Sequence, residues 1–381
     1  MTLVRRVALV IGTRPEATKT APLVRALAAA DGWEPCLIST DQHGPHVADA
    51  LAPFGLRPDV TLRLARGGED LVGLNGALQH SLGTVLEPAR FDAVVVQGDT
   101  ATTLAGALVA HWRRIPLVHL EAGLRTGDLA APFPEEGNRR MVGALADVHL
   151  APTPRAAENL RCAGVDPAAV EVVGNSAIDA VRLVLARAPS AGSLVPEGYG
   201  RHVVVTAHRR ESWGPGIRRI AAAVRRLAEA NPDCAFLIAT HMNPAVQRDL
   251  RDGLGGGDNI VVLPPLAYEE FVPVLAGAEL VLTDSGGIQE EAPALDVPVL
   301  VLRETTERPE GVDAGCARLV GTDEERIVAA AQQILSDPHL RSAMASVPCP
   351  YGDGHAAERS VEAMARRLRV GGPPAPVAGD R

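Results

Sequence analysis

Lysine is almost missing from this chain: Lys19 is the only one among 37 basic residues, and the rest are arginine. The skew reflects coding bias more than chemistry, so the lysine that survives is informative, because arginine would have served at a solvated position. Aromatic residues are scarce as well, at 3% of 381, which leaves the cores to be built from aliphatic side chains. The five cysteines (Cys36, Cys162, Cys234, Cys316, Cys349) have neither metal-ligand spacing nor a disulfide framework and read as indifferent thiols in a reducing cytosol. No run is long and apolar enough to span a membrane. The apolar opening stops at a Gly-Thr-Arg turn, as a first strand does, and not as a signal segment. There is no complete GxGxxG, no Walker motif and no metal-spaced cluster, so NAD, P-loop nucleotide chemistry and a bound metal lack support. A net charge of −9 argues against nucleic acid, while still allowing a local cationic pocket for a small anion.

What is present is a repeating order. Hydrophobic residues make up 46% of the chain. Strand-like runs are followed by turns and helical patterns: 7–12, 36–40, 92–98, 116–123 and 147–153 in the first half, then 202–208, 235–241, 259–265, 279–285 and 297–303 in the second. Alternation of this kind means βαβ units and parallel sheets, and ten runs exceed one doubly wound sheet of usual size. The reading is α/β, with two Rossmann-like domains facing a central cleft. An N-terminal domain covers 1–175 and a C-terminal domain 176–354, with a helix near 355–370 packing back on the first and a disordered tail at 371–381. The first helix is expected from about Lys19 to Ala30.

Polar clusters fall where strands end, and in open parallel sheets that is where ligands bind. GTRPEATK (12–19) is a glycine turn opening a helix, with Arg14 and Lys19 adding charge to an anion-attracting N-terminus. QGDT (97–100) ends a strand with Asp99, which, taken alone, a plain helix cap explains better. HLEAGLRTGD (119–128) and PFPEEGNRR (132–140) carry Glu121, Glu135, Glu136, Arg139 and Arg140, and paired carboxylates serve as acid and base if their environments separate their pKa values. TAHRRESWG (206–214) places His208 at a strand end beside arginines, where it can donate to phosphate oxygens. DSGGIQEEAP (284–293) is a Gly-rich turn before a short helix, and ETTERPEG (304–311) adds Arg308.

Together, GTRPEATKTAPLV, QGDTATT, HLEAGLRTGDLAAPFPEEGNRR, TAHRRESWG, HMNP, TDSGGIQEEAPAL, RETTERPEGV and PYGDGHAAER run in one order from 12 to 359. In that order they resemble the non-hydrolysing UDP-N-acetylglucosamine 2-epimerases. The resemblance implies a pair of Rossmann-like domains of the GT-B kind. It implies elimination of UDP from C1 as a base removes the C2 proton, then re-addition with protonation from the other face. That chemistry calls for no metal or redox cofactor. By the same resemblance, Asp99, Glu121 and Glu135 are acid/base candidates without an assignment among them. Arg14, Lys19 and His208 lie around the diphosphate and sugar, and Lys19 and His208 are counted with the catalytic set. Ser285, Gly286 and Gly287 form the phosphate loop, Glu291 binds the ribose, Phe271 packs on uracil and Arg308 approaches the nucleotide. The implied partners are UDP-N-acetylglucosamine and UDP, with no nucleic acid and no membrane, in a cytoplasmic homodimer.

One segment departs from the family. Many bacterial members read TGQHREML after the second strand and bind a second UDP-N-acetylglucosamine there as activator. This chain reads TDQHGPHVADAL (40–51), keeping Gln42 and His43 but replacing Arg-Glu by Gly44-Pro45, and Glu69 stands where a glutamine is expected. The change argues against allosteric activation and points to a specialised pathway such as antibiotic-sugar supply. Other readings of the same residues are a glycosyltransferase of the same fold, a hydrolysing epimerase, and a catalytically silent nucleotide-sugar binder.

Overall fold

The protein is described by a computed structural model covering residues 4–41, 46–62, 64, 70–187, 194–207, 209, 212–239 and 244–368. It divides into two compact units, 1–180 with 354–381, and 181–353. The tail expected to be disordered at 371–381 lies outside the described residues.

Unit 1 alternates β1 (Arg5–Ile11), α1 (Arg14–Ala29), β2 (Trp33–Ser39), α2 (His46–Leu51), β3 (Val60–Thr61), α3 (Leu71–Gly83), β4 (Ala93–Gln97), α4 (Ala101–Trp112), β5 (Leu117–Leu120), α5 (Glu135–Leu145), β6 (Val148–Ala151), α6 (Pro154–Cys162) and β7 (Val170–Val172). The chain leaves it through α7 (Ser176–Leu185). Unit 2 holds β8 (Arg201–Thr206), α8 (Pro215–Ala230), β9 (Cys234–Ala239), α9 (Pro244–Leu254), β10 (Ile260–Leu263), α10 (Tyr268–Ala276), β11 (Leu280–Thr283), α11 (Gly286–Glu291), β12 (Val299–Val301), α12 (Pro309–Ala314), β13 (Ala317–Leu319), α13 (Glu324–Ser336) and α14 (Pro338–Ala345). The closing helix α15 (Ala356–Arg367) belongs to unit 1.

Each unit contains one wholly parallel sheet, and the two sheets share an order. The first runs β3-β2-β1-β4-β5-β6-β7 and the second β10-β9-β8-β11-β12-β13. In both, the order reverses between two central strands, β1 beside β4 and β8 beside β11. Loops leaving a reversal point diverge to opposite faces and open a crevice at the strand ends. Every residue of β4 is buried and all but the first of β8 are, as fits strands covered on both faces. The cores are aliphatic, with Phe54 and Phe236 the aromatic exceptions among the largest fully buried side chains.

The ten strand runs read from sequence are all present. The three additional strands, β3, β7 and β13, are two or three residues long and sit at sheet edges, too short to carry a periodicity. Helix α1 begins at Arg14, five residues before the expected start, because Pro15 fits a first turn that needs no N–H from it. Lys19 is therefore in the second turn rather than the first. Helix α15 packs on α1 and β6. Its N-terminal amides at Ala356 and Ala357 donate to Asp179 of α7 at 3.2 and 2.8 Å, and Arg367 pairs with Glu171 of β7 at 2.7 Å.

Candidate active site

In unit 1 the turns after β1, β4 and β5 collect the charged residues. Lys19, on α1, reaches across to Glu121 just beyond β5, with Nζ donating to both carboxylate oxygens at 2.8 and 2.7 Å. The two side chains are 10% and 8% exposed, so each charge relies on the other to offset its desolvation. The Gln97 amide at the end of β4 donates to the same carboxylate at 2.5 Å. Glu121 adopts φ +63°, a left-handed conformation that a residue with a Cβ takes at a cost of about 1 kcal/mol or more. The chain thus turns abruptly at the strand end, and the carboxylate is held by the ammonium and the amide.

Asp99, after β4, is fixed by a second cation. Nε and Nη2 of Arg139 on α5 both approach Oδ2, at 2.8 and 2.7 Å, and the Asn138 amide donates to the Asp99 carbonyl at 2.8 Å. Asp99 does not cap α4; Thr100 does, in a reciprocal box with Thr103. Glu136, fully buried, accepts from the Thr126 and Gly127 amides and pairs with Arg139 and Arg140. Burial pushes its pKa up, but those donors outweigh burial and hold the group below the ordinary carboxylate value. Glu135 differs from all three: its Oε2 is buried and has no hydrogen-bond partner among the described residues. A buried carboxylate oxygen without a donor is uncommon and calls for an explanation, such as a ligand.

Two buried histidines support these loops. His119 on β5 shares a 2.8 Å hydrogen bond with the Gly98 carbonyl, one residue before Asp99, and lies opposite His149 of β6 in the sheet register. Burial holds both rings neutral, lowering the pKa of His119 to about 3 and of His149 to about 4. Gly12 is required by close approach: a Cβ there would come within 2.1 Å of the Thr102 hydroxyl.

In unit 2 the crevice residues come from β11, α11 and the loop before α12. Ser285 precedes α11 without a side-chain cap bond. Arg308 lies against Gly286, where a Cβ would fall 2.5 Å from Nη1. Arg308 donates through Nε to Glu290 and through Nη1 to Glu307, both at 2.6 Å. Burial raises the pKa of Glu307, but Arg308, Arg303 and Arg209 outweigh it and keep that carboxyl well below the usual range. Glu291 accepts from the Tyr268 hydroxyl at 3.1 Å, and Phe271 lies one turn along α10 from Tyr268, half-buried.

The sequence-derived residues thus fall into two groups. Lys19, Asp99 and Glu121 sit in one hydrogen-bonded neighbourhood of unit 1, with Arg14 and Glu135 at the starts of α1 and α5. Ser285, Gly286, Gly287, Glu291, Arg308 and Phe271 share unit 2. His208, Gln42, His43 and Glu69 lie outside the described residues. Gln97, Arg139 and Tyr268 received no role from the sequence, because hydrogen-bond partners distant in the chain leave no local pattern.

Comparison with known proteins draws on nearly the whole chain. The family model described as UDP-N-acetylglucosamine 2-epimerase matches residues 25–365. The chain belongs to the UDP-N-acetylglucosamine 2-epimerase family. It is 45% identical over 369 residues to a probable UDP-N-acetylglucosamine 2-epimerase of Ralstonia nicotianae, covering 94% of this chain and 98% of the other. It is 42% identical to the UDP-N-acetylglucosamine 2-epimerase of Escherichia coli K12, at the same coverage of 94% and 98%. A crystal structure of UDP-GlcNAc 2-epimerase from Neisseria meningitidis bound to UDP-GlcNAc superposes with a TM-score of 0.88 at 37% identity, covering 95% of this chain and 100% of that one.

Proposed function

We propose that this chain interconverts UDP-N-acetylglucosamine and UDP-N-acetylmannosamine. The C2 hydrogen of the substrate has no adjacent carbonyl and is not acidic, so direct proton exchange at C2 is slow. Elimination avoids the difficulty. A base takes the C2 proton, the C2–H electron pair becomes the C1–C2 double bond, and the C1–O bond breaks with its pair leaving on UDP. The products are a 2-acetamidoglucal and UDP. Reversal with a proton delivered to the opposite face of C2 returns the epimer. Proton carriers are then needed on both faces, together with cationic support for the leaving diphosphate.

The observation that carries the reading is the unequal condition of three carboxylates in a family member: Glu121 is neutralised by Lys19, Asp99 by Arg139, and Glu135 keeps a buried oxygen without a partner. Glu135 takes the part of one proton carrier. Asp99, bound to Arg139 through Oδ2 alone, takes the other through Oδ1. Glu121, fixed by Lys19 and Gln97, orients the sugar. Arg14, Lys19 and His208 meet the diphosphate and sugar. The Ser285–Gly287 turn and Arg308 hold phosphate, Glu291 the ribose and Phe271 the base. A glycosyltransferase needs no base at C2, so this carboxylate set favours epimerisation. Expectations that go with the reading are a homodimer and a cytoplasmic location. Among the described residues no helix is long and apolar enough to cross a membrane.

The test is incubation with UDP-N-acetylglucosamine in deuterated water, without any acceptor. Deuterium at C2 of both epimers is expected. Turnover without deuterium at C2, or steady release of free sugar as the main flux, would sink the mechanism. Run at low and high substrate, a hyperbolic rate curve is expected if the Gly44-Pro45 change has removed activation.

A further inference from the structure

One buried acid in unit 1 has no part in the mechanism. Glu16, in the second half of the GTRPE turn, is 1% exposed. No cation pairs with it among the described residues. Its Oε2 accepts from the Gly12 amide at 3.0 Å. Its Oε1 lies 2.6 Å from the Thr100 hydroxyl and 3.1 Å from the Thr103 hydroxyl. One side chain therefore joins the turn that carries Arg14 to the cap residue that follows Asp99. The link continues to the third loop, because the Thr103 hydroxyl is 2.6 Å from the Gln97 carbonyl and the Gln97 amide holds Glu121.

Counting hydrogens around Glu16 favours one charge state. A threonine hydroxyl has one proton to give. The Thr103 proton goes to the Gln97 carbonyl at 2.6 Å, which can only accept. The Thr103 oxygen also accepts from the Thr100 amide at 3.1 Å, and the Thr100 oxygen accepts from the Thr103 amide at 3.2 Å. The Thr100 proton goes to Glu16 at 2.6 Å. If Glu16 were ionised, two 3.1 Å contacts, Glu16 Oε1 with the Thr103 oxygen and the Thr100 oxygen with the Thr103 oxygen, would be lone pairs facing each other without a proton. With one proton on Glu16, donated to the Thr103 oxygen, only the Thr100–Thr103 contact is left without one. Moving that proton onto the short Thr100 contact, with Thr100 donating to Thr103 at 3.1 Å, leaves the Glu16–Thr103 contact bare instead, so the protonated acid has one O···O contact without a proton where the ionised acid has two. We propose that Glu16 is a neutral carboxylic acid in the folded protein and a positioning residue that ties the Arg14, Asp99 and Glu121 loops into one geometry. Burial acts in the same direction, raising the acid's pKa over the opposing effect of its hydrogen bonds to Thr100, Thr13, Gly12 and Thr103. A neutral tie also has a functional sense, since it fastens the loops without adding a negative charge beside Arg14, the residue read as facing a diphosphate.

The positioning half of this inference rests on the proposed epimerase reaction; the protonation half does not, and the two are tested apart. An infrared difference spectrum of wild type against Glu16→Gln, at neutral pH and without substrate, is expected to show a protonated carboxylic-acid C=O band in the wild type. A carboxylate pair of bands in its place would overturn the neutral acid whatever the enzyme catalyses. Kinetics address the tie. An amide accepts from Gly12 through its oxygen and donates through its nitrogen as the acid does, so Glu16→Gln should keep kcat within about 5-fold. Glu16→Ala should lower kcat by about 100-fold with KM changed far less, the order expected when reacting groups are misplaced by about 1 Å. Equal damage from Gln and Ala, or a normal kcat in Glu16→Ala, would overturn it. Should the Ala variant not fold, Glu16→Asp, which keeps the acid but shortens its reach, takes its place with the same expected loss.

Discussion

In unit 1, β1, β4 and β5 run into Lys19, Asp99 and Glu121, and a cation neutralises each of the two carboxylates. In unit 2, β8 and β11 run into Arg209 and the Ser285–Gly287 turn, and the arrangement differs: Arg308 lies over a glycine between Glu290 and Glu307, and Glu307 is shared with Arg303 and Arg209. The strand order is the same in both. Topology therefore supplies only the place, a reversal point with diverging loops, and a handful of side chains decides which charges that place presents. The contrast can be broken from either side.

Unit 1 should give the larger effects, on chemistry. Glu135→Gln and Asp99→Asn are each expected to lower kcat by about 10²–10⁴-fold, the range for removing a general acid or base, while UDP affinity, read by calorimetry, stays close to wild type. If the two residues serve opposite faces of C2, one variant should still exchange the C2 proton of UDP-N-acetylglucosamine with deuterated water and the other should not. Identical exchange in both would break that division of roles. Lys19→Ala should abolish most activity with the fold intact. Lys19→Arg should lose much of it, because a planar guanidinium does not reproduce a compact ammonium that meets both Glu121 oxygens from a buried position.

Unit 2 should give smaller effects, on affinity. Gly286→Ala places a methyl 2.5 Å from Nη1 of Arg308 and must shift that guanidinium from its two carboxylates. UDP affinity is expected to fall about 10–100-fold, roughly 1.4–3 kcal/mol, the scale of a charged hydrogen bond, with kcat at saturating substrate changed much less. A drop in kcat with unchanged affinity would mean that unit 2 takes a direct part in the chemistry and that the contrast drawn here is wrong.

How much of this was legible beforehand follows from the physics of each feature. Ten strands were legible because buried parallel strands are continuous apolar runs, whereas β3, β7 and β13 are shorter than any period. The strand-end placement of Asp99, Glu121 and the Ser285–Gly287 turn was legible because strand-end motifs are local in sequence. Their partners were not. The Asp99–Arg139 and Lys19–Glu121 pairs join residues 40 and 102 positions apart, and no spacing rule reaches across a sheet. The start of α1 lies ahead of the expected one because Gly-Thr-Arg-Pro has the composition of a turn, whereas Pro15 suits a first helical turn. Glu16 was passed over for a related reason. In the sequence it is an ordinary acid near a helix start, and its full burial, with threonine and backbone donors only, exists only in the fold.

The smallest expected effect separates the units by acidity. Folded His119 titrates at about 3 against an ordinary value of 6.5, chiefly because it is buried, with the Gly98 hydrogen bond opposing. Between those values the unfolded chain binds a proton that the folded chain does not, so stability is greatest above 6.5 and falls as the pH drops through the window, by up to about 1.4 kcal/mol per pH unit for this one ring. His149 acts in the same direction. Glu16 and Asp179, whose pKa values burial raises, oppose it, but they do so equally in wild type and in a variant at His119. In unit 2 the depressed Glu307 contributes stability that is lost only as the pH falls below its ordinary value of 4.5. From 6.5 down to 4.5, then, His119 and His149 weaken unit 1 while Glu307 still holds unit 2. Amide hydrogen exchange in β5 and β6 against β8 and β11 reads the two units separately. Exchange in β5 and β6 should accelerate on going from pH 7 to pH 5, after correction for intrinsic rates, more than in β8 and β11. His119→Gln should reduce that difference even if its stability at neutral pH is lower. An unchanged difference in the variant would mean that His119 is not held neutral in the fold, and the acid sensitivity of unit 1 would have to come from His149 alone.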